Sequence, residues 1–112
     1  MNHPTPDLDR SRLIQMGAIE DPAITQILDS FMDALDQRID EFTAAAAERE
    51  SSSLKYLLHK LRGSAGNCGF PAIAELCGRI ESEQVEFSQE AFHLVASRAK
   101  AAWQEVKREA AD

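Results

Sequence analysis

Apolar residues recur at intervals of three and four along most of the chain. Ile24, Ile27, Leu28, Phe31, Met32, Leu35, Ile39 and Phe42 form the longest run, with Asp29, Asp33, Asp36, Gln37, Asp40 and Glu41 on the intervening positions. That spacing belongs to an α-helix with one buried face. Leu54, Leu57, Leu58 and Leu61 repeat it, as do Ile73, Leu76, Cys77 and Ile80, then Phe92, Val95, Ala99, Trp103 and Val106, and a short stretch with Leu13, Ile14 and Met16. Residues suited to helix ends separate these runs. Asp21 before Pro22, the serines Ser51 to Ser53 and Ser88 can cap free N–H groups, whereas Gly69 before Pro71 suits a left-handed stop and a restart. The pattern predicts helices over about 8–19, 22–48, 52–68, 71–86 and 89–109, with Ala44 to Ala47 continuing a helix rather than forming a linker. Long amphipathic helices on short connections become antiparallel neighbours. The expected fold is therefore all-α, an antiparallel up-and-down four-helix bundle with a short N-terminal capping helix, in one domain over 1–112.

Composition narrows the function. A chain of 112 residues can bury one core but cannot house a nucleotide-binding catalytic domain beside a second module, which excludes an autonomous kinase. Its 19 acidic and 12 basic side chains give a net charge of -7, the wrong sign for a nucleic-acid binder or for an anionic membrane surface. Neither a membrane-length apolar run nor the apolar core of a signal peptide is visible, and the expected location is the cytoplasm. Met1 and the polar ends favour a free-standing protein over a domain cut from a larger kinase. Cys68 and Cys77 lack disulfide or CxxC spacing and read as small buried side chains, and Trp103 and the phenylalanines read as core.

The segment from Ser51 to Cys68 departs from a generic helix. On a wheel of 100° per residue, Leu57, Leu58, Leu61, Ala65 and Cys68 fall within about 60° of Leu54. His59 then lies at about 140°, Gly63 at about 180° and Gly66 at about 120°, on the outer face, with Arg62 and Lys55 flanking at about 80° and 100°. An exposed helical glycine costs about 1 kcal/mol relative to alanine, so two of them need a reason. Gly63, one turn after His59, leaves bare backbone where another protein can approach the ring. Gly66 does the same or loosens the helix end.

Charge points to the same place. Between Ser51 and Ala74 there is no acidic residue, while Lys55, Lys60 and Arg62 give +3, leaving -10 for the rest of the net -7. A positive patch around an exposed histidine suits an anionic partner or an anionic adduct. Histidine's ordinary pKa of about 6.5 leaves most of an imidazole neutral at pH 7, with one nitrogen lone pair available as a nucleophile. The guanidinium of Arg62 can neutralise phosphoryl oxygens, with Lys55 a second cation.

The run Leu58-His59-Lys60-Leu61-Arg62-Gly63-Ser64-Ala65-Gly66-Asn67-Cys68-Gly69 resembles the His-x-Leu-Lys-Gly-Ser signature of histidine-containing phosphotransfer (HPt) domains, and Ala74-Glu75-Leu76-Cys77-Gly78-Arg79-Ile80-Glu81 resembles that family's next helix. The resemblance implies a monomeric four-helix bundle that carries a phosphoryl group between receiver-domain aspartates in a multistep phosphorelay, without kinase activity of its own. It implies that His59 is the phosphoacceptor, that Arg62 stands where lysine is usual, that Gly63 gives clearance and that Ser64 orients the ring. Lys55, Lys60 and Gly66 would then meet the partner, a response-regulator receiver domain or a sensor (hybrid) histidine kinase. No cofactor is expected on this chain; Mg2+ would sit in the receiver's acidic pocket. Arginine in place of lysine keeps the charge but changes the shape of the donor.

Other readings are a phosphorylation-independent helical adaptor that docks a receiver or kinase, a metal site using His59, Cys68, Cys77 or His93, and a histidine-kinase dimerisation domain. Cys68 on the buried stripe and His59 well over 90° away oppose a shared metal. The kinase pattern wants an acidic residue after the histidine and a proline soon after, whereas Lys60 follows here and the next proline is Pro71.

Overall fold

Helix ends in this chain are written mostly in single residues. The computed structural model describes residues 4–48 and 51–111, and its elements are α1 (Arg10–Met16), α2 (Pro22–Ala47), α3 (Ser51–Cys68), α4 (Pro71–Glu81) and α5 (Gln89–Ala111). Asp9 caps α1 by accepting from the Arg12 N–H, Asp21 caps α2 by accepting from the Ala23 N–H, and the Ser88 hydroxyl accepts from the Ala91 N–H at the start of α5. Helix α3 already includes all three serines of the triplet, so its capping position falls outside the described residues.

Two glycines close helices in the left-handed conformation. Gly17 (φ 73°) ends α1, where the Ala18 N–H reaches back to the Leu13 carbonyl, and Gly69 (φ 88°) ends α3, where the Phe70 N–H donates to the Ala65 carbonyl. Helix α1 is thus shorter than the expected 8–19. Helix α4 also stops early, at Glu81 rather than 86. Glu83 takes φ 64°, and the Gln84 N–H donates to the Arg79 carbonyl at 2.8 Å, which is the glycine-type stop built without a glycine. The turn swings Phe87 into an aromatic cluster with Phe42 and Phe92, centroids 5.1–6.2 Å apart.

The helices form a bundle in which α2 packs on α3, α3 on α4, α4 on α5, and α5 returns to α2. Leu28, Leu35, Ile39, Phe42, Leu58, Ala65, Phe70, Ile73, Cys77, Phe92, Ala99 and Trp103 make its centre. Ile27 departs from the expected stripe. It is 54% exposed at the lip of a groove of about 410 Å³ between α2 and α3, because it sits at the edge of the apolar arc rather than its middle. Between α2 and α5 polar contacts repeat at seven-residue steps: Asp29 with Lys107 (2.7 Å), and Asp36 with Lys100 (3.4 Å) and His93 (3.7 Å). Helix α1 lies over the α3–α4 corner, where the Asp9 N–H donates to the Gly69 carbonyl and Arg12 Nε to the Asn67 carbonyl. This corner fixes where α3 ends and α4 begins, and so the register between them.

Candidate functional site

The apolar stripe of α3 faces inward as its spacing requires: Leu58, Leu61 and Ala65 are buried, and Leu54, Leu57 and Cys68 partly so. His59 consequently stands on the outer face, its side chain 64% exposed. The α3–α4 interface is the most extensive in the bundle, and it brings α4 against the flank of the histidine. Gly78 is the point of closest use. The aliphatic part of Arg62 lies over it, with Cδ 3.5 Å from where a Cβ would be, so the guanidinium crosses α4 toward Glu81, one turn on.

Three charged or ionisable groups converge there. His59 Nδ1 is 3.0 Å from Glu81 Oε1, Arg62 Nη2 is 3.1 Å from the same Nδ1, and Arg62 Nη1 is 2.9 Å from Glu81 Oε2. The last contact is an ion pair rather than an aligned hydrogen bond, and Glu81 Oε2 is buried without any well-directed donor. Both ring contacts fall on Nδ1. Nε2 is left as the nitrogen without a protein partner among the described residues.

The positive patch is weaker than the sequence run suggests. Lys55 pairs with Glu83 (3.2 Å) and Arg62 with Glu81, so the end of α4 and the turn after it return carboxylates to a face that looked purely cationic in one dimension, while Arg79 pairs with Glu75 (3.8 Å) within α4. Lys60 keeps no carboxylate partner among the described residues and lies over the exposed Tyr56 ring, 5.4 Å from its centroid. Ser64 does not reach the imidazole. Five residues on from His59 it is turned about 140° round the helix and lines the α2–α3 groove with Lys60 and Leu57. Gly66 and Gly63 are exposed, and a methyl group added at either position would meet nothing within 4 Å.

Neither glycine has a positive φ or a crowded neighbour, so nothing inside the chain requires Gly63. Gly63→Ala is therefore expected to raise stability by up to about 1 kcal/mol in urea unfolding. Gly63→Leu should fold as well as the parent, since the position is exposed and open.

Beneath the site, Cys77 is fully buried; burial first, then the Glu81 charge, push its thiol up to about 12, against a smaller opposing effect of Arg62. Burial also raises the half-buried Cys68. Thiols held in this form pack as apolar groups. Among the described residues no three His, Cys, Asp or Glu side chains are grouped to hold a metal ion. His93 lies instead on α5 facing Asp36.

Glu81 is the neighbour of His59 that single-residue reasoning passed over. A signal existed: on α4, Glu81 falls about 80° from Ile73, at the margin of the apolar stripe, an unusual place for a carboxylate without a partner. Its partner lies on another helix, which spacing within α4 cannot show.

No helix among the described residues is long and apolar enough to cross a membrane. No curated protein and no solved structure matches the chain significantly. The family model described as Hpt domain, however, matches residues 26–109. That stretch runs from the second turn of α2 to the last turn of α5 and contains His59, Arg62 and Glu81. The chain therefore belongs to the Hpt domain family, whose members serve histidine phosphotransfer in two-component phosphorelays.

Proposed function

We propose that His59 accepts a phosphoryl group from the aspartate of one receiver domain and passes it to the aspartate of another. The observation that carries this reading is an exposed imidazole whose Nδ1 is engaged by Glu81 and Arg62 while Nε2 has no partner among the described residues, on the outer face of α3 that also carries the exposed Gly63. The Nε2 lone pair forms a bond to phosphorus, the O–P bond of the aspartyl phosphate breaks, and its electron pair stays with the departing carboxylate. The ring becomes a phosphoimidazolium, with its proton kept on Nδ1. Glu81 then faces a cation rather than a neutral ring. Positioning and charge neutralisation are the whole of this chain's contribution, in keeping with a carrier rather than an enzyme.

In this reading the scaffold is an antiparallel up-and-down four-helix bundle with α1 as its cap, acting as a monomer in the cytoplasm. The helices hold the histidine rigidly while the receiver supplies the aspartate and the Mg2+. Lys60, Lys55 and Gly66 meet the receiver's acidic rim, and Arg62 turns to the phosphoryl oxygens once they arrive. A sensor (hybrid) histidine kinase stands upstream of the donor receiver.

The test is to mix the protein with phosphorylated receiver domains and follow the label. The expected product on this chain survives base and is lost in acid, as a nitrogen–phosphorus bond is. A label that survives acid, as a serine ester does, would overturn the assignment.

A further inference from the structure

Glu83 holds a backbone conformation that its residue type does not favour. Its φ of 64° lies in the left-handed region that glycine or asparagine enters at least cost, and no other non-glycine residue among those described has a positive φ. The stop after α4 uses only the backbone of this residue. Its N–H donates to the Ile80 carbonyl at 3.0 Å, and glycine would serve the turn with less strain. The side chain is 74% exposed, and its polar partner among the described residues is Lys55 Nζ at 3.2 Å. That ion pair contributes little to stability, because both members stand in solvent and are screened by it. A glutamate at this position therefore needs a reason outside the fold.

We propose that Glu83 is a specificity-determining residue: with Lys55 it forms a polarised pair that selects a receiver domain presenting a carboxylate toward Lys55 and a cation toward Glu83. The proposal rests on receiver domains being the partners of His59 and adds how one receiver is told from another. Lys55 lies one turn before His59 on α3, and Glu83 faces it from the turn after α4. Lys60, directly after His59, keeps no carboxylate partner among the described residues. The two lysines therefore act differently. Lys60 attracts any acidic rim. Lys55 is already countered, so an acidic rim gains from it only by drawing it away from Glu83 and then facing that carboxylate itself.

Like charges brought together at a rim reject wrong partners, and rim charges act mainly on the association rate and its salt dependence. A uniformly acidic receiver rim meets Glu83 as a like charge. A rim with a lysine or arginine opposite Glu83 meets both members of the pair with the opposite sign, so that the four charges alternate. Screening over about 8 Å at physiological salt confines this reading to the charges closest to the pair, whatever the net charge of the chain.

The experiment measures stopped-flow association of the full chain with purified, unphosphorylated receiver domains of two classes, uniformly acidic rims and rims that also carry a cation, at low and high salt. Glu83→Gln keeps the shape and removes the charge. At low salt it should speed association with the uniformly acidic class at least about threefold and slow it with the other, so that the ratio between them falls. Exchanging the pair, Lys55→Glu with Glu83→Lys, keeps the net charge and should reverse the ranking. Both effects should shrink at high salt. Glu83→Gly separates selection from folding: it should unfold at the same or a higher urea concentration than the parent, yet discriminate as poorly as Glu83→Gln. If the exchanged pair fails to fold, the two single variants decide. A ratio unchanged in Glu83→Gln, or a Glu83→Gly protein less stable than the parent, would overturn the proposal, the second because the glutamate would then serve the fold. Association is read without phosphate, so failure of the relay reading appears separately, as receivers that bind in the expected order yet leave no label on His59. A parent protein that binds no receiver overturns both.

Discussion

Replacing His59 with glutamine is expected to lower phosphate uptake from a phosphorylated receiver by more than about a thousandfold while leaving the fold and receiver binding in place. The size follows from the proposed chemistry: with the imidazole as nucleophile, an amide at the same position offers no comparable lone pair, so the loss would resemble removal of any covalent nucleophile. Retention of the fold follows from position. The side chain is 64% exposed on the outer face of α3, with polar contacts to Glu81 and Arg62, and surface substitutions of that kind usually change stability by no more than about 0.5 kcal/mol. Glutamine can still present an N–H to Glu81. Label measured on gels run without acid, after mixing with the phosphorylated receiver, checks the first half, and titration calorimetry with the unphosphorylated receiver the second. Uptake that persists in the variant would move the acceptor to another residue. A wild-type protein that binds the receiver but never takes label would instead favour the adaptor reading.

The site was half legible in the sequence, and the division has a physical basis. Everything that depends on the periodicity of α3 was readable: the buried leucines fix the helix rotation, and with it the outward direction of His59, Gly63 and Gly66. Everything that depends on the neighbouring helix was not. Glu81 reaches Nδ1 from α4, twenty-two positions along the chain, and Glu83 and Glu81 pair with Lys55 and Arg62, cations that had looked unopposed from Ser51 to Ala74. Ser64 shows the reverse error. Its place in the motif suggested a role beside the ring, yet five residues of helical rotation carry it to the groove on the α2 side. Helix ends divide in the same way. Asp21, Ser88 and Gly69 announce themselves by residue type, whereas the stop after Glu81 uses a glutamate in a left-handed conformation, and Ile80 with Val85 extends the apolar pattern past the true end. That turn brings Phe87 to Phe42 and Phe92, a contact between three different segments.

The largest stability effect is expected at Trp103, the largest of the fully buried side chains. Trp103→Ala removes an indole that is fully enclosed on α5 and leaves a cavity in the middle of the bundle, a change that costs about 3–5 kcal/mol in comparable cores. Against a total stability of about 5–15 kcal/mol for domains of this kind, the variant sits near the edge of folding, with a melting temperature lower by at least about 10 °C. Packing is not the whole of the loss. The indole N–H donates to Asp29 Oδ1 at 2.7 Å, and Lys107 donates to the same oxygen at 2.7 Å, tying α5 to the first half of α2. Lys107 first and Trp103 second hold the Asp29 carboxyl below its ordinary pKa, so this anchor acts above the unfolded-state value of about 3.8 and weakens as pH falls through the lower folded value. Trp103→Phe separates the two contributions. It keeps most of the bulk and loses only the N–H, and because Lys107 still serves the carboxylate, the expected cost is about 1–2 kcal/mol. Urea unfolding followed by circular dichroism measures both variants without relying on the lost fluorophore. Equal losses in the two would mean that the Asp29 anchor, not the filled core, is what Trp103 provides; a melting temperature for Trp103→Ala within about 3 °C of the parent would mean that the bundle can close over the space, and that its helices are less rigidly held than presentation of His59 to a receiver requires.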